Sequence, residues 1–270
     1  MQRGTEEPGE RGASRPAARE RGTVRAVQLL EQLHRTGRPT RVGDLARALG
    51  APRSSTYELV GLLTEAGLLE TVSPEGEVFF GPTLYVYGLD YLREHDLVRR
   101  GQAEVDRLSA ETGETAQLCT RAGARYTVLH MRASRRPFRI SSDVGTQIPL
   151  PWTASGRLLL AHLPEAEIRA LLEPDDLCPP HGPPIVLDAF LAAVARAGRD
   201  GWCITSGLVD VLTHCIAAPV RDARGVTAAT LCFVVPMDTP PGRLESLRDT
   251  LVAACRELSP GGRGGIRPAG

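Results

Sequence analysis

Residues 50–69 read GAPRSSTYELVGLLTEAGLL, and this stretch decides the fold of the first part of the chain. The Gly-Ala-Pro sequence at its start predicts a turn, because proline cannot continue a preceding helix. From Arg53 onward, apolar residues recur at helical spacing. Gly67 fits the C-terminal end of this helix, where a left-handed residue is common. The stretch therefore predicts a turn followed by an amphipathic helix.

The two sides of this helix differ in chemistry. The apolar side carries Leu59, Val60, Leu63 and Ala66, with Thr56 beside them. The polar side carries Arg53, Ser54, Tyr57, Glu58, Gly61 and Thr64. The apolar side is expected to pack against other helices. The polar side is suited to reading base edges in DNA, and equally to being the solvated face of a small helical domain.

The flanking sequence extends the pattern in both directions. Helical spacing predicts a first helix between Thr23, its candidate N-cap, and Gly37. Thr40 precedes a short second helix whose apolar spacing runs to Leu49. After the quoted stretch, the strand-like runs LLETVS and EVFFG flank a turn at residues 74–76. Three helices followed by a hairpin predict a winged helix-turn-helix.

The remaining sequence predicts a second domain of a different kind. Residues 1–21 and 261–270 lack apolar periodicity and predict a disordered arm and tail. We assign residues 22–82 to the winged domain, 83–96 to a linker helix and 97–260 to the second domain. Helical segments there alternate with strand-like runs such as RYTVLHMRA and VTAATLCFVVP. An antiparallel sheet flanked by helices fits this order, so the fold class is α+β.

The composition of the chain limits the classes of function that it can have. The 270 residues carry no net charge, so the chain as a whole makes no electrostatic case for nucleic acid or membrane. Every basic residue is Arg, which binds phosphate and guanine bidentately. The six cysteines show no metal-ligand spacing and predict reduced thiols. With no signal peptide and no bilayer-length apolar run, a cytoplasmic location is expected.

Candidate DNA contacts follow from the polar side of the helix and from charge. Arg53 suits a phosphate or a guanine, Ser54 and Ser55 suit phosphates, and Glu58 suits a cytosine amino group. Between Ser54 and Leu92 there is no basic residue, so phosphate neutralisation has to come from the earlier arginines. The full candidate set is Arg53, Ser54, Ser55, Tyr57, Glu58, Arg41 and Arg25.

A candidate ligand pocket surrounds the sequence WTASG at residues 152–156. Thr153 is the natural N-cap of a helix that starts here, and free backbone N–H groups there suit a ligand carboxylate or carbonyl. The candidate ligand-binding residues are Thr153, Ala154, Ser155, Trp152, Met131, Trp202, Cys215 and Cys232. One N-cap, core thiols and two packing indoles would give the same pattern without any ligand.

The sequence does not favour catalysis. Ser155 lacks the G-x-S-x-G elbow of a hydrolase nucleophile. His214 and Cys215 are neighbours on a predicted strand, so their side chains point to opposite faces. No glycine-rich phosphate loop and no zinc-ligand spacing occurs in the sequence. We therefore expect no enzyme activity, no catalytic residue, no metal and no cofactor.

Three stretches together resemble the IclR family of bacterial transcriptional regulators. They are GTVRAVQLLEQLHRTGRPTRVGDLARALGAPRSSTYELVGLLTEAGLLE, VGTQIPLPWTASGRLLLAHLP, and GWCITSG with HCIAAPVRDARGVTAATLCFVVP. The resemblance covers about residues 22–258. It implies a winged helix-turn-helix joined by a linker helix to a GAF-like effector-binding domain. It also implies dimers or dimers of dimers on double-stranded operator DNA, a small-molecule effector and no catalysis.

The chain departs from the family pattern in both domains. Glu58 stands where the family usually has a basic residue, and Glu75-Gly76-Glu77-Val78 replaces a basic wing. Leu208 stands where Glu is common, and Leu212 where Gly is common. Cys232 and Val234 replace small hydroxyl residues. These losses of polarity predict a drier pocket, for a larger and more apolar ligand or for none.

The sequence thus predicts a sequence-specific DNA-binding regulator, a repressor rather than an activator. Its C-terminal domain is expected to sense a small molecule and to mediate oligomerisation. The alternative is a regulator-derived module for protein interaction or small-molecule binding, with weakened DNA binding. Glu58 and the acidic wing motivate this alternative.

Overall fold

A computed structural model describes residues 15–134 and 142–260 of the chain. The chain forms two compact units that divide between Glu94 and His95. The other predicted domain boundaries stay predictions. The tail at residues 261–270 lies outside the described residues.

The first unit has the predicted element order. Its elements are helix α1 (Arg15–Thr36), strand β1 (Thr40–Arg41), helices α2 (Val42–Ala48) and α3 (Arg53–Glu65), strands β2 (Leu69–Thr71) and β3 (Glu77–Phe80), and helix α4 (Pro82–Glu94). The three strands form an antiparallel sheet in the order β1-β3-β2. Three helices and a hairpin confirm the winged helix-turn-helix.

The start of α1 differs from the prediction. The helix begins at Arg15, so Thr23 lies inside it and is not its N-cap. Residues 15–21, which we assigned to a disordered arm, have helical backbone, while residues 1–14 lie outside the described part. The run RPAARER contains good helix formers after its proline, and proline is tolerated in a first turn.

The core of the first unit is built from the predicted apolar spacing. Its fully buried side chains are Leu29, Leu33, Leu45 and Leu69, joined by Val42, Val60, Leu63 and Val78. At the end of α3, Gly67 has φ 69° and its N–H donates to the Thr64 carbonyl. The predicted C-terminal glycine is thereby confirmed. Helix α3 buries Thr56, Val60 and Leu63 of its predicted apolar side. Leu59 is only partly buried, and Ala66, at the end of the helix, is exposed.

The second unit is the predicted α+β domain. Its elements are helix α5 (Asp96–Thr112), strands β4 (Thr115–Ala122), β5 (Arg125–Arg132) and β6 (Gln147–Pro149), helices α6 (Ala154–Leu160), α7 (Glu165–Leu171) and α8 (Leu187–Asp200), strands β7 (Cys203–Ser206), β8 (Thr213–Arg221) and β9 (Thr227–Pro236), and helix α9 (Pro241–Leu258). The six strands form an antiparallel sheet in the order β6-β5-β4-β9-β8-β7. Short 3-10 helices span Leu150–Trp152 and Pro174–Leu177.

Helices cover both faces of this sheet. Helices α5 and α9 cover one face, around Leu118, Leu231 and Phe233. Helices α6 and α8 cover the other, around Cys119, Tyr126 and the neighbouring side chains. Successive strand residues point to opposite faces, which is why Leu118 and Cys119 lie in different cores. The second face, under α6, carries the candidate pocket.

Candidate functional site

Helix α3 begins where the sequence predicts a recognition helix. Pro52 is its N-cap residue, and the hydroxyls of Ser55 and Thr56 both donate to the Pro52 carbonyl oxygen, at 3.1 Å and 2.9 Å. Thr56 is buried. Ser55 is only partly exposed. Its hydroxyl, a candidate phosphate donor, is already hydrogen-bonded within its own helix turn.

Four candidate DNA-contacting residues share one exposed face of α3. Arg53, Ser54, Tyr57 and Glu58 are all exposed, and 56% of the Tyr57 surface is accessible. Residues four apart lie on the same side of a helix, so Tyr57 follows Arg53 and Glu58 follows Ser54. The first two turns of α3 thus present a cation, a hydroxyl, a phenol and a carboxylate to solvent.

The guanidinium of Arg53 lies beside helix α2. A Cβ atom added at Gly43 would lie 3.1 Å from Arg53 Nη2 and 3.7 Å from its Cζ. A side chain at Gly43 would therefore crowd the guanidinium. Gly43 leaves Arg53 room to lie between the two helices of the helix-turn-helix while it remains exposed.

The other two candidates lie on different elements. Arg41 is exposed, is the N-cap residue of α2 and pairs with Glu77 across the β1–β3 ladder. Arg25 is half-buried in α1. The wing therefore places an acid opposite Arg41, in line with its acidic sequence.

The second unit contains a cavity of about 40 Å³ on the sheet face under α6. It is lined by Gln117, Tyr126, Ser142, Ile148, Trp152, Thr153, Thr205, Gly207, Leu208, Val209, Asp210, Thr213, Cys215 and Val234. Three of the candidate ligand-binding residues are among them: Trp152, Thr153 and Cys215. The strands and the segment between β7 and β8 supply most of the others.

The remaining candidates lie around or away from the cavity. Cys232 and Met131 do not line the cavity, but each contacts the side chain of Gln117, which does. Each sulfur atom lies 3.4 Å from an atom of the Gln117 amide. Ala154 and Ser155 are buried in α6 outside the lining. Trp202 lies elsewhere, with the Arg248 guanidinium 5.0 Å from its ring centre.

Thr153 caps α6 as the sequence indicates. Its hydroxyl oxygen accepts a 2.8 Å hydrogen bond from the Gly156 N–H. A Cβ atom at Gly156 would lie 2.0 Å from the Leu150 carbonyl oxygen, so only glycine allows this close approach. The buried Arg157 donates to the Thr153 carbonyl at 2.8 Å, and burial lowers the pKa of this guanidinium.

One backbone donor at the start of α6 is less free than the sequence suggests. The Gly156 N–H is bound to Thr153. A hydrogen bond with Cys232, together with burial, raises the pKa of Cys215 well above its ordinary value, so this thiol stays protonated near neutral pH.

A buried polar network forms the floor of the cavity. The Tyr126 hydroxyl donates to Gln117 Oε1 at 2.8 Å and accepts from the Cys119 thiol at 2.9 Å. Burial raises the pKa of Tyr126 well above its ordinary value. Gln117 Nε2 donates to Ser142 Oγ at 2.9 Å. These bonds fix the amide of Gln117, whose orientation decides which of its atoms meets a ligand.

A hydrogen bond to the neighbouring 3-10 helix fixes the Trp152 side chain in the cavity wall. Its indole N–H donates to the Asp176 carbonyl oxygen at 2.7 Å. The buried Asp176 carboxylate accepts from the Glu173 N–H at 3.1 Å and pairs with Arg125 at 3.0 Å. The 3-10 helix at Pro174–Leu177 thus positions the indole.

The departures from the family pattern have different outcomes. Leu208 and Val234 line the cavity, as a drier pocket requires, and Cys232 lies beneath it. Leu212 is 63% exposed and is not part of the lining. The leucine at this position, where the family commonly has glycine, therefore does not change the cavity wall. Several polar lining residues, such as Gln117, keep the cavity mixed in character.

Sequence reasoning missed several lining residues, above all Gln117, Tyr126 and Asp210. Gln117 was recognisable, because an amide in the middle of the apolar run TAQLC needs a partner. Asp210 gave no signal, since it lies in an irregular segment between two strands. All six cysteines are free thiols, as predicted.

Neither a metal-binding cluster nor a membrane-spanning helix occurs in the described part of the chain. Across residues 15–134 and 142–260, no group of three or more His, Cys, Asp or Glu side chains converges as a metal site would require. No helix in that part of the chain is long and apolar enough to cross a membrane.

Comparisons with known proteins identify the family. The family described as bacterial transcriptional regulator IclR C-terminal matches residues 89–259, and the IclR helix-turn-helix domain matches residues 22–73. The transcriptional repressor AllR of Salmonella typhi is 24% identical over 231 residues, 84% of this chain and 85% of AllR. The regulator BhcR of Paracoccus denitrificans is 26% identical over 223 residues, 80% of this chain and 78% of BhcR.

Solved structures show the same fold. An IclR homologue from Microbacterium hydrocarbonoxydans, complexed with 4-hydroxybenzoate, is similar with a TM-score of 0.75 at 24% identity, over 88% of this chain and 97% of that one. An IclR regulator from Alicyclobacillus acidocaldarius has a TM-score of 0.76 at 19% identity, with 88% and 97% of the two chains covered. The C-terminal family match alone spans more than half of the sequence, and the chain belongs to the IclR family of bacterial transcriptional regulators.

Proposed function

We propose that this chain is a repressor that binds double-stranded operator DNA through α3. Its affinity for that DNA changes when a small molecule binds to the second unit. The exposed row Arg53, Ser54, Tyr57 and Glu58 on the second helix of a helix-turn-helix carries the proposal. In this motif the second helix enters the major groove with its N-terminal residues at the base edges. AllR, a relative by sequence, is a repressor.

Each side chain of the row has a role in this proposal. Arg53 contacts a phosphate or a guanine, and Ser54 contacts a phosphate. Tyr57 and Glu58 lie one turn further along, where Glu58 accepts from a cytosine amino group. Ser55, Arg41 and Arg25 add backbone contacts. Phosphate contacts set the affinity, and Glu58 sets much of the sequence preference.

The cavity under α6 is the proposed effector site. It combines apolar walls at Ile148 and Leu208 with a fixed amide at Gln117, a combination typical of small-molecule sites. The Microbacterium homologue holds 4-hydroxybenzoate, which supports a ligand-binding role for this domain in the present chain. A ligand acts on DNA binding only if it favours one arrangement of the protein over another.

A homodimer is part of the proposal. Helix α4 has no buried residue, although it carries five exposed apolar or aromatic side chains: Tyr85, Val86, Tyr87, Leu89 and Tyr91. Several exposed apolar and aromatic side chains on one short helix mark an interaction site. A second copy of the same helix is its expected partner, because two-fold dimers match palindromic operators. Sedimentation velocity should show a dimer or a larger assembly; a monomer at micromolar concentration contradicts this part.

We further propose a cytoplasmic location and no catalytic activity. Relatives by sequence such as AllR are transcriptional regulators, which supports both parts of this proposal. His214, whose ring could be mistaken for a catalytic group, makes hydrogen bonds that link strands of the sheet. Its ring bonds Ser206 Oγ at 2.7 Å and the Met237 carbonyl oxygen at 3.0 Å, which ties β7 to the end of β9.

The positions of two acids favour the alternative, a module for protein interaction or small-molecule binding with weakened DNA binding. Glu58 lies on the exposed face of α3, and Glu77 lies opposite Arg41. Both acids oppose phosphate binding. A reporter fused to the DNA upstream of this gene separates the two functions. Its expression should rise when the gene is deleted and fall on complementation; no change in either strain favours the alternative.

A further inference from the structure

Most side-chain donors around the cavity are paired inside the protein. Gln117 Nε2 donates to Ser142, the Tyr126 hydroxyl donates to Gln117, and the Trp152 indole donates to the Asp176 carbonyl. Each of these bonds is between 2.7 Å and 2.9 Å long. A carboxylate ligand only accepts hydrogen bonds, so it needs donors that are not already used.

One backbone donor at the start of α6 is used in the same way. The Gly156 N–H binds Thr153 Oγ1 at 2.8 Å. Cys215, which also lines the cavity, adds only a thiol, and a thiol is a weak donor.

Asp210 supplies the opposite chemistry. Asp210 is one of the residues that line the cavity, and its Oδ1 accepts one hydrogen bond from the Leu212 N–H at 2.9 Å. A carboxylate accepts several hydrogen bonds, so capacity remains for a ligand. The Thr213 hydroxyl is turned to the Asp210 backbone carbonyl at 3.0 Å. Within the described lining, Asp210 is the one residue of a charged type.

The size of the cavity limits the ligand further. A volume of about 40 Å³ holds roughly three water molecules at about 10–15 Å³ each. The ligand is therefore small, or it moves lining side chains as it enters. Because Leu208 and Val234 form part of the wall, the uncharged part of the ligand meets apolar atoms.

We propose that this cavity binds a small molecule that donates hydrogen bonds and carries no negative charge, with Asp210 as its acceptor. The proposal rests on the effector-sensing function proposed above and assigns the ligand class for that site. It separates this chain from the Microbacterium homologue, whose 4-hydroxybenzoate is a carboxylate. A ligand anion beside Asp210 would bring two like charges together in a partly desolvated site.

Matched probes test the ligand class on the full chain. Isothermal titration at pH 7.5 would compare glycolate, glycolamide and ethanolamine, and then 4-hydroxybenzoate with 4-hydroxybenzamide. We expect each amide to bind at least about tenfold more tightly than its acid, because like-charge contacts are strongly unfavourable. Binding by ethanolamine at least as tight as by glycolamide would show that the acceptor acts through its charge. An acid that binds as tightly as its amide overturns the proposal, and so does the absence of binding by every probe.

Asp210→Asn tests the assigned acceptor. Asparagine keeps an oxygen for the Leu212 N–H and removes the charge, so the preference of amide over acid should shrink by about tenfold. Asp238→Asn, at an exposed acid of the same unit, should leave the preference unchanged. An unchanged preference in Asp210→Asn, with an unaltered unfolding midpoint, contradicts the assignment. DNA titration of the same proteins reports separately on the regulator function, which survives if only the ligand class is wrong.

Discussion

Arg41 of β1 lies directly opposite Glu77 of the wing strand β3 in the antiparallel ladder of the first unit. Side chains at directly opposed positions lie on the same face with Cβ atoms about 4.5–5.5 Å apart. Glu77 thus places a negative charge next to one of the few cations available for DNA backbone contact. The pairing links the acidic wing to the affinity of the whole domain.

Glu77→Gln should strengthen DNA binding. Removal of the acid takes away a negative charge that weakens the contact of Arg41 with a phosphate, so non-specific affinity should rise about threefold to tenfold at low salt. The slope of log affinity against log salt should become steeper by about 0.9, the value for one added phosphate contact. Fluorescence anisotropy with a scrambled duplex measures both, and Glu65→Gln at the end of α3 is the control. Equal slopes for wild type and Glu77→Gln would show that Arg41 faces no phosphate.

Arg53→Ala should weaken operator binding by at least about 1 kcal/mol, the scale of a good base or phosphate contact. The residue is exposed at the first turn of α3, so its loss should leave the unfolding midpoint unchanged. Arg224→Ala provides a matched control, because Arg224 is an exposed arginine of the second unit with 82% side-chain accessibility. If both variants bind the operator like wild type, Arg53 is removed from the reading set.

Much of the fold could be predicted from local sequence signals. The bounds of α3, Gly67 at its end and Thr153 at the start of α6 each depend on a few neighbouring residues, and all agree with the structure. Such signals act over one or two helical turns, where the backbone's own hydrogen-bonding needs decide the outcome.

Only some of the residues that line the cavity could be predicted from the sequence. Cys119 and Cys232 lie 113 residues apart in sequence, yet their sulfur atoms are 4.0 Å apart because β4 and β9 are neighbours in the sheet. Strand order and register decide such contacts, and neither follows from the periodicity of one strand. Trp202 shows the same limit, since its ring lies against Arg248 of α9 and is not part of the cavity lining.

Thr153→Ala should destabilise the second unit by about 1 kcal/mol, the usual cost of a lost N-cap. The Gly156 N–H loses its acceptor in a buried site, so water does not fully replace it. Thr153→Ser keeps the hydroxyl and should recover most of the loss. Urea denaturation followed by circular dichroism measures the difference. A serine variant as unstable as the alanine variant would assign the effect to the methyl group instead.

Alkaline pH should destabilise the fold through its buried thiols. Burial raises the pKa of Cys255 from an ordinary value of 9.0 to about 12. Between these values the unfolded chain loses the proton and the folded chain keeps it, so stability falls as pH rises above 9. At pH 10 this one thiol contributes a loss of about 1.4 kcal/mol relative to pH 7.

Cys255→Ala isolates this contribution. Its loss of unfolding free energy between pH 7 and pH 10 should be smaller than that of wild type by about 1.4 kcal/mol. Cys178→Ala, at an exposed cysteine, should behave like wild type over the same range. Parallel losses in wild type and Cys255→Ala would mean that the Cys255 thiol ionises as readily in the folded protein as in the unfolded one.

The most direct test of the central claim is the affinity of the full chain for the DNA that flanks its own gene, measured by anisotropy against a scrambled duplex over a salt series. The exposed row on α3 predicts nanomolar binding to the flanking DNA, a clear preference over the scrambled sequence and a steep loss of affinity with salt. Equal and weak binding to both duplexes at low salt would contradict the claim that α3 reads an operator.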